Sequence, residues 1–236
     1  SPLTLVTNGS GNMTVLALPP VPPGRYYVGR TYSLSATPAG GNLFTNLVQT
    51  APATIILRTA TPGESLTGLK TTTFIMQTNL TLTGNFMPNF FIAAARNYYG
   101  LFSDTNNGVA HPSAGYITFK TDSKLKFTGS LYVEGEKVTF GGGFNLAGVG
   151  TLKTPAVRKG MANEPINIVP VLDLTGTGQI GGVVSNGAWS ATIDADAQLA
   201  YTSNSWTWGL TGRQYTMVVP GSANAAAEPA GDGYSL

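Results

Sequence analysis

Residues 116–144, YITFKTDSKLKFTGSLYVEGEKVTFGGGF, alternate apolar and polar side chains along the whole stretch, broken only by short turn signals. A period of two puts every second side chain on one face of a pleated strand, and no helix presents residues in that way. The stretch divides into YITFKT, KLKFTGSLYV and KVTFGGGF. The short turn at Glu134-Gly135 predicts that the last two pair as a hairpin. The three glycines at 141–143 are followed by neither helix nor Lys, so they are read as a bulge or tight bend and not as a phosphate loop.

The same reading extends outward in both directions. LTLVT at residues 3–7 is a strand leading into the turn-rich NGSGN, and a second strand begins at Met13. It is stopped by the prolines between 19 and 23, which cannot sit in a central strand and so form a rigid loop or an edge. TYSLSATP is a strand with Tyr32 and Leu34 on one face. The pattern is weaker from Gly40 to Ser65, where TIILRTA is consistent with a strand. TTTFIMQ and NLTLTGNF follow, separated by a turn near Gln77–Asn79, and FFIAAA reads as a buried strand in preference to a short helix.

In the second half NYYGLFSD is a strand, TNNGVAHPSAG a loop, and GTLKTPAVRK and INIVPVLDL are further strands. Asn186-Gly187 lies between two alternating segments and predicts a hairpin with a type I′ turn, left-handed at both positions. AQLAYT, SWTWGL and QYTMVVPG complete a meander. Thirty Gly and fifteen Pro supply the turns, and no long helical pattern survives among them. The fold class is therefore all-β. Residues 1–88, ending at Pro88, make a small N-terminal β module, and residues 89–236 a larger antiparallel β-meander, barrel or sandwich.

Charged residues make up only 10% of the 236-residue chain, thirteen Lys and Arg against eleven Asp and Glu, compared with about 25% in an average soluble domain. Thr, Ser, Asn and Gly take their place, as suits exposed β surface. The basic residues are scattered along the sequence, without the clustering that a phosphate backbone or an anionic membrane surface requires, so nucleic acid is not an expected partner. No apolar run reaches the roughly 18 residues of a membrane helix, and no membrane insertion is expected. The absence of cysteine excludes a disulfide framework, a thiol nucleophile and a Cys-based zinc site. No signal peptide is visible, and SPLTLVT enters a strand at once, as a processed chain or a cut fragment would.

Two resemblances bear on organisation. GRTYSLSATPAGGNLFTNL followed by FIMQTNLTLTGNF is similar to the divergent internalin-B-type bacterial repeat, over residues 3 to 86. Gly29, Tyr32, Leu34, Ala36, Pro38, Phe44, Phe74, Met76, Leu80, Leu82 and Phe86 stand in that repeat's order. Leu47 replaces its usual Trp, and residues 48–70 are a longer insertion than most repeats have. From Tyr98 onward, YYGLFSDTNNG through GGGF, LDLTGTGQIGGVVSNGAWSATIDAD and YTMVVPG resemble a β-meander module of very large exported proteins of the Verrucomicrobia–Planctomycetes type. Both resemblances imply an extracellular or bacterial cell-surface setting. In the second the pattern continues past PAGDGY into further strands, and here GDGYSL is poised to begin one. A β domain short of its last strands has an unpaired edge: either the chain is a fragment of a longer protein, or a neighbouring copy completes the sheet by strand addition and head-to-tail self-association.

Few residues carry chemistry. His111 is the only histidine. Asp104 is near it in sequence, but no Ser lies in a nucleophile context, so His111 reads as a loop histidine. Asp194 and Asp196 share a strand face and read as solvent-facing residues before a glycosidase pair or a calcium site. SDTNNG at 103–108 has the composition of a calcium loop without its closing Glu, and reads as a turn. Trp206 and Trp208 share one face of SWTWGL. They are read either as core or, with Tyr234, as a contact for a sugar or a protein. One residue of each pair Tyr26-Tyr27 and Tyr98-Tyr99 is expected inside.

The expectation is a non-enzymatic extracellular structural module without cofactors, a filament subunit or a piece of a large surface protein that joins neighbours through strand edges. The alternative is an adhesin that binds carbohydrate or protein through exposed aromatics.

Overall fold

The strands that alternation predicts form two separate β architectures. The structure, a computed structural model, describes residues 1–16, 25–161, 164–198, 217–219 and 233–235. The chain divides into two compact units, Ser1–Gln198 and Leu199–Leu236.

In the N-terminal part of the first unit, β1 (Leu3–Asn8), β7 (Leu80–Pro88), β4 (Asn42–Ala51) and β5 (Ile55–Thr59) form one sheet in the order β1-β7-β4-β5. β2 (Gly11–Leu16), β3 (Thr31–Pro38) and β6 (Leu69–Ile75) form a second, in the order β2-β3-β6. The pairing of β1 with β7, Leu3 opposite Leu80 through Asn8 opposite Asn85, is parallel. All other pairings among the described residues are antiparallel. The inner faces of the two sheets share one apolar core that includes Met13, Tyr32, Leu34, Phe44, Leu47, Phe74, Met76, Leu82 and Phe86. Two sheets packed on a common core make a β-sandwich.

β4 is the longest strand and the one whose alternation is hardest to see. A register shift between Phe44 and Asn46 puts two β4 residues opposite one of β7. That bulge lets Phe44 and Leu47, three apart, face the same core. Leu43, adjacent to Phe44 and so on the other face, joins the second core instead. A short helix, α1 (Pro62–Thr67), follows β5. Thr61 and Glu64 form its capping box and Pro62 occupies its first turn.

The segment FFIAAA, expected as a strand, is instead a 3₁₀ turn over Phe90–Ile92. The Asn89 side chain accepts a hydrogen bond from Phe91 N–H at 3.1 Å, which stabilises the turn locally against an extended alternative. Phe91 is buried there.

Eight strands then form one antiparallel sheet: β8 (Asn97–Ser103), β9 (Gly115–Thr121), β10 (Lys126–Val133), β11 (Glu136–Phe144), β12 (Gly150–Leu152), β13 (Asn167–Leu172), β14 (Gln179–Ser185) and β15 (Ser190–Ala197). Their spatial order is β12-β11-β10-β9-β8-β15-β14-β13. The two end strands meet. Val149 bridges Val171, and Leu172 N–H donates to the Gly148 carbonyl at 2.9 Å. The sheet is a nearly closed barrel, and the open edge expected of a meander short of its last strands is not found in it. Its interior is aromatic. The Phe119 ring lies 5.4 Å from Phe140, and that of Phe127 lies 4.8 Å from Phe144.

Both expected hairpins form, with turns exchanged. Glu134 (φ 49°) and Gly135 (φ 78°) are both left-handed between the paired Val133 and Glu136, the type I′ condition. At Asn186-Gly187 only the glycine is left-handed. There the Asn186 carbonyl oxygen on the side chain accepts from Ala188 and Trp189 N–H, and Trp189 stacks on Phe102 at 6.2 Å. The side-chain bonds hold Asn186 out of the left-handed region and lengthen the loop to Ser190.

The glycines at 141–143 form no bulge, because β11 pairs through them with β10 and β12 without a register shift. Gly142 faces inward, where a Cβ would lie 2.1 Å from the Thr151 carbonyl. In the second unit β16 (Met217–Val219) pairs antiparallel with β17 (Gly233–Ser235).

Candidate binding face

Inward and outward residues alternate on each barrel strand, and the outward set is where the barrel departs from an ordinary polar exterior. In β8, Tyr98 and Phe102 are buried while Tyr99 and Leu101 are 44% and 65% exposed. In β9 and β10 the outward residues include Tyr116 and Tyr132, 38% and 39% exposed. The register brings these positions side by side: Leu101 lies opposite Tyr116, and Tyr116 opposite Tyr132. The Tyr116 and Tyr132 rings are 5.6 Å apart at 44°. Lys137 of β11, opposite Tyr132, holds its ammonium 5.6 Å from the Tyr132 ring centroid, a cation–π contact.

Exposed large apolar residues scattered singly mean little, but four on adjoining strands form a patch that invites a partner. The phenols affect one another. Burial raises the Tyr116 hydroxyl above the ordinary tyrosine range, and the neighbouring Tyr99 and Tyr132 phenols raise it further. Tyr116 is thus a neutral hydrogen-bonding group at physiological pH.

One step along the strands the surface becomes hydroxylic. Tyr99 lies opposite Thr118, Thr118 opposite Ser130, and Ser130 opposite Thr139. Together with Asn97, Lys120 and Thr128 these residues line a depression of about 450 Å³. Thr118 is committed, since its hydroxyl accepts from Ser130 N–H at 3.2 Å, and the Asn97 amide donates to Gln198 at 3.0 Å. On the far side of Tyr99 and Leu101 stand the partners across β15, Asp196 and Asp194. An aromatic shelf beside a row of hydroxyls and amides can stack a sugar ring and bond its rim.

The residues singled out from sequence fall elsewhere. Trp206 and Trp208 lie outside the described residues. Tyr234 is in β17 opposite Val218. Asp194 and Asp196 do share the outer face of β15, and Gln179 donates to Asp196 at 3.2 Å. His111 is exposed at the start of a 3₁₀ turn, His111–Ser113. Asp104 does not orient it: the Asp104 carboxylate accepts from Asn106 N–H and from the backbone and side chain of Asn107. Those bonds, the Asn107 amide first, hold its carboxyl below the usual range, so SDTNNG is an Asx turn. Tyr98 is buried and Tyr99 exposed, as expected, while Tyr26 is half-buried against the N-terminal core and Tyr27 exposed. Among the described residues no three His, Asp or Glu side chains are grouped to hold a metal, and no helix is long and apolar enough to cross a membrane.

Alternation alone marks Tyr99, Tyr116 and Tyr132 as outward, each next to a buried neighbour. Their meeting depends on strand order, which the linear sequence does not display. No protein-family model, curated protein or solved structure matches the chain.

Proposed function

We propose that this chain is a non-enzymatic extracellular adhesive module whose barrel binds carbohydrate on the outer face of β8–β11. The observation that carries the reading is the contiguous exposure of Tyr99, Leu101, Tyr116 and Tyr132 beside the hydroxyl-lined depression. Sugar rings offer C–H faces to aromatics and hydroxyl rims to Ser, Thr and Asn. A low-charge, Thr- and Ser-rich surface suits an external setting, as the resemblance to bacterial surface modules implies. Titration calorimetry of the full chain against a panel of neutral and acidic oligosaccharides tests the proposal. Binding that is lost in Tyr116→Ala and Tyr132→Ala supports it. Absence of binding across the panel, or binding indifferent to both changes, refutes it.

A second reading, self-association through strand edges, is favoured by β5. Among the described residues this edge strand has one partner, β4, and it carries Ile55 and Ile56 at 49% and 63% exposure. An apolar edge with unpaired backbone groups is a template for another strand. Sedimentation of the wild type and of Ile56→Lys distinguishes the readings: assembly that the lysine abolishes favours the edge.

A further inference from the structure

We infer that the glycan taken by this face is acidic, its carboxylate or sulfate groups held by Lys120, Lys124, Lys126 and Lys153 in a groove that continues from the tyrosine shelf. This rests on the carbohydrate reading above and adds the ligand's charge.

The strand register builds the groove. Outward positions along β10 run Tyr132, Ser130, Thr128, Lys126, about 20 Å at ~3.4 Å per residue. Thr128 lies between Lys120 of β9 and Gly141 of β11. The Gly141 carbonyl accepts the Lys153 N–H at 2.9 Å, so Lys120 and Lys153 flank one row. Thr128 also lines both the hydroxylic depression and a second, larger cavity of about 950 Å³, around which Lys124, Lys126 and Lys153 stand. Leu125 and Phe127 contribute an apolar floor.

Charge is scarce in this chain, yet four of its thirteen basic residues surround one continuous groove. None of the four makes an ion pair among the described residues, where the ion pairs involve only Arg58 and Arg158. The nearest carboxylate in sequence, Asp122, accepts from the backbone N–H groups of Lys124 and Lys126. Four ammonium groups around one groove with the single carboxylate of Asp122 beside them leave an excess of positive charge, which an anionic ligand offsets. Gly141 contributes by its size. A Cβ there would meet nothing nearer than 3.4 Å, so neither backbone conformation nor packing requires glycine, and its absent side chain leaves the groove open.

The other side of the face carries Asp194 and Asp196, opposite Leu101 and Tyr99, so the acidic groups of a ligand are held at the lysine end.

The test uses the full chain with polygalacturonate, dextran sulfate, neutral dextran and a single-stranded oligonucleotide, with affinity followed against salt. Expected is binding of polygalacturonate or dextran sulfate, the preferred polymer naming the acidic group. That affinity should fall several-fold between about 50 and 200 mM salt, as counterion release requires. The double change Lys126→Gln with Lys153→Gln should weaken it at least about tenfold, with the circular dichroism spectrum unchanged. Tyr132→Ala should weaken it also. Neutral dextran bound equally well, with the lysine changes silent, overturns the inference and leaves the aromatic shelf standing. Lysine-dependent binding that ignores Tyr132→Ala removes the shelf and with it the carbohydrate reading. Tighter binding of the oligonucleotide than of either acidic glycan overturns the ligand class.

Discussion

The Arg158 guanidinium, buried on the segment that joins β12 to β13, pairs with the Glu134 carboxylate at the tip of the β10–β11 hairpin. Its second nitrogen meets Glu164 at 3.2 Å, and its Nε is buried without a partner among the described residues. One side chain thus ties the left-handed turn to the crossing segment that carries the barrel from one end strand to the other. Arg158→Ala is expected to cost about 3 kcal/mol, because it removes the pair and leaves a hole. Arg158→Met fills the space without a charge and should cost less. Urea denaturation midpoints of the two variants check the order.

The barrel interior rests on packed aromatic rings, and Phe127 has contacts with Phe119, Phe140 and Phe144 at 6.2, 6.4 and 4.8 Å. Phe127→Ala should lose about 3–5 kcal/mol. Thermal melting followed by near-ultraviolet circular dichroism measures it, and a loss below about 1 kcal/mol would contradict this packing.

Two glycines on neighbouring strands should respond in opposite ways. A Cβ on Gly129 would lie 2.2 Å from the Thr118 carbonyl and 2.4 Å from the Phe140 ring. Gly129→Ala is therefore expected to destabilise by about 1–3 kcal/mol or more. Gly141→Ala meets only ordinary contacts and should leave stability within about 0.5 kcal/mol, while narrowing the groove and weakening its ligand. Stability and binding measured on both variants test the contrast.

The Asp173 carboxylate accepts from the backbone and hydroxyl groups of Thr175 and Thr177. These bonds, the Thr177 hydroxyl first, hold its carboxyl far below the ordinary range. Its unfolded pKa is about 3.9, so the folded state binds fewer protons, and the contribution is complete above that value. It is lost as pH falls through the folded value. Wild type should therefore lose more stability than Asp173→Ala on acidification below about pH 4, and the two curves should converge at low pH. Denaturant midpoints taken across that range decide it.

The legible part of the fold was local. Tyr98 against Tyr99, or Ile117 against Tyr116, could be assigned to opposite faces from alternation alone, and Glu134-Gly135 announced its hairpin. β4 stayed hidden because the bulge after Phe44 breaks the period on which such reading depends. The 3₁₀ turn at Phe90–Ile92 was masked by a strand-like composition, although Asn89 ahead of it was a usable capping signal. α1 had its own signal in Thr61, Pro62 and Glu64. Lys120, Lys124 and Lys126 already stand within seven residues of one another, and Lys153 is the one that the fold adds. Lys120 and Lys153 are more than thirty residues apart in sequence and share one row across the sheet.

What the amino-acid sequence determined by itself was that this chain is made of strands and which side chain on most of them turns inward. Pleating is a property of consecutive residues and needs no distant partner. The tertiary structure alone decided which strands are neighbours, that β1 runs parallel to β7, and that β12 meets β13. It likewise brought Tyr99, Tyr116 and Tyr132 onto one outer face and set Lys153 in the same row as Lys120. Those outcomes depend on hydrogen bonds and burial between segments far apart in the chain, and periodicity carries no record of strand order.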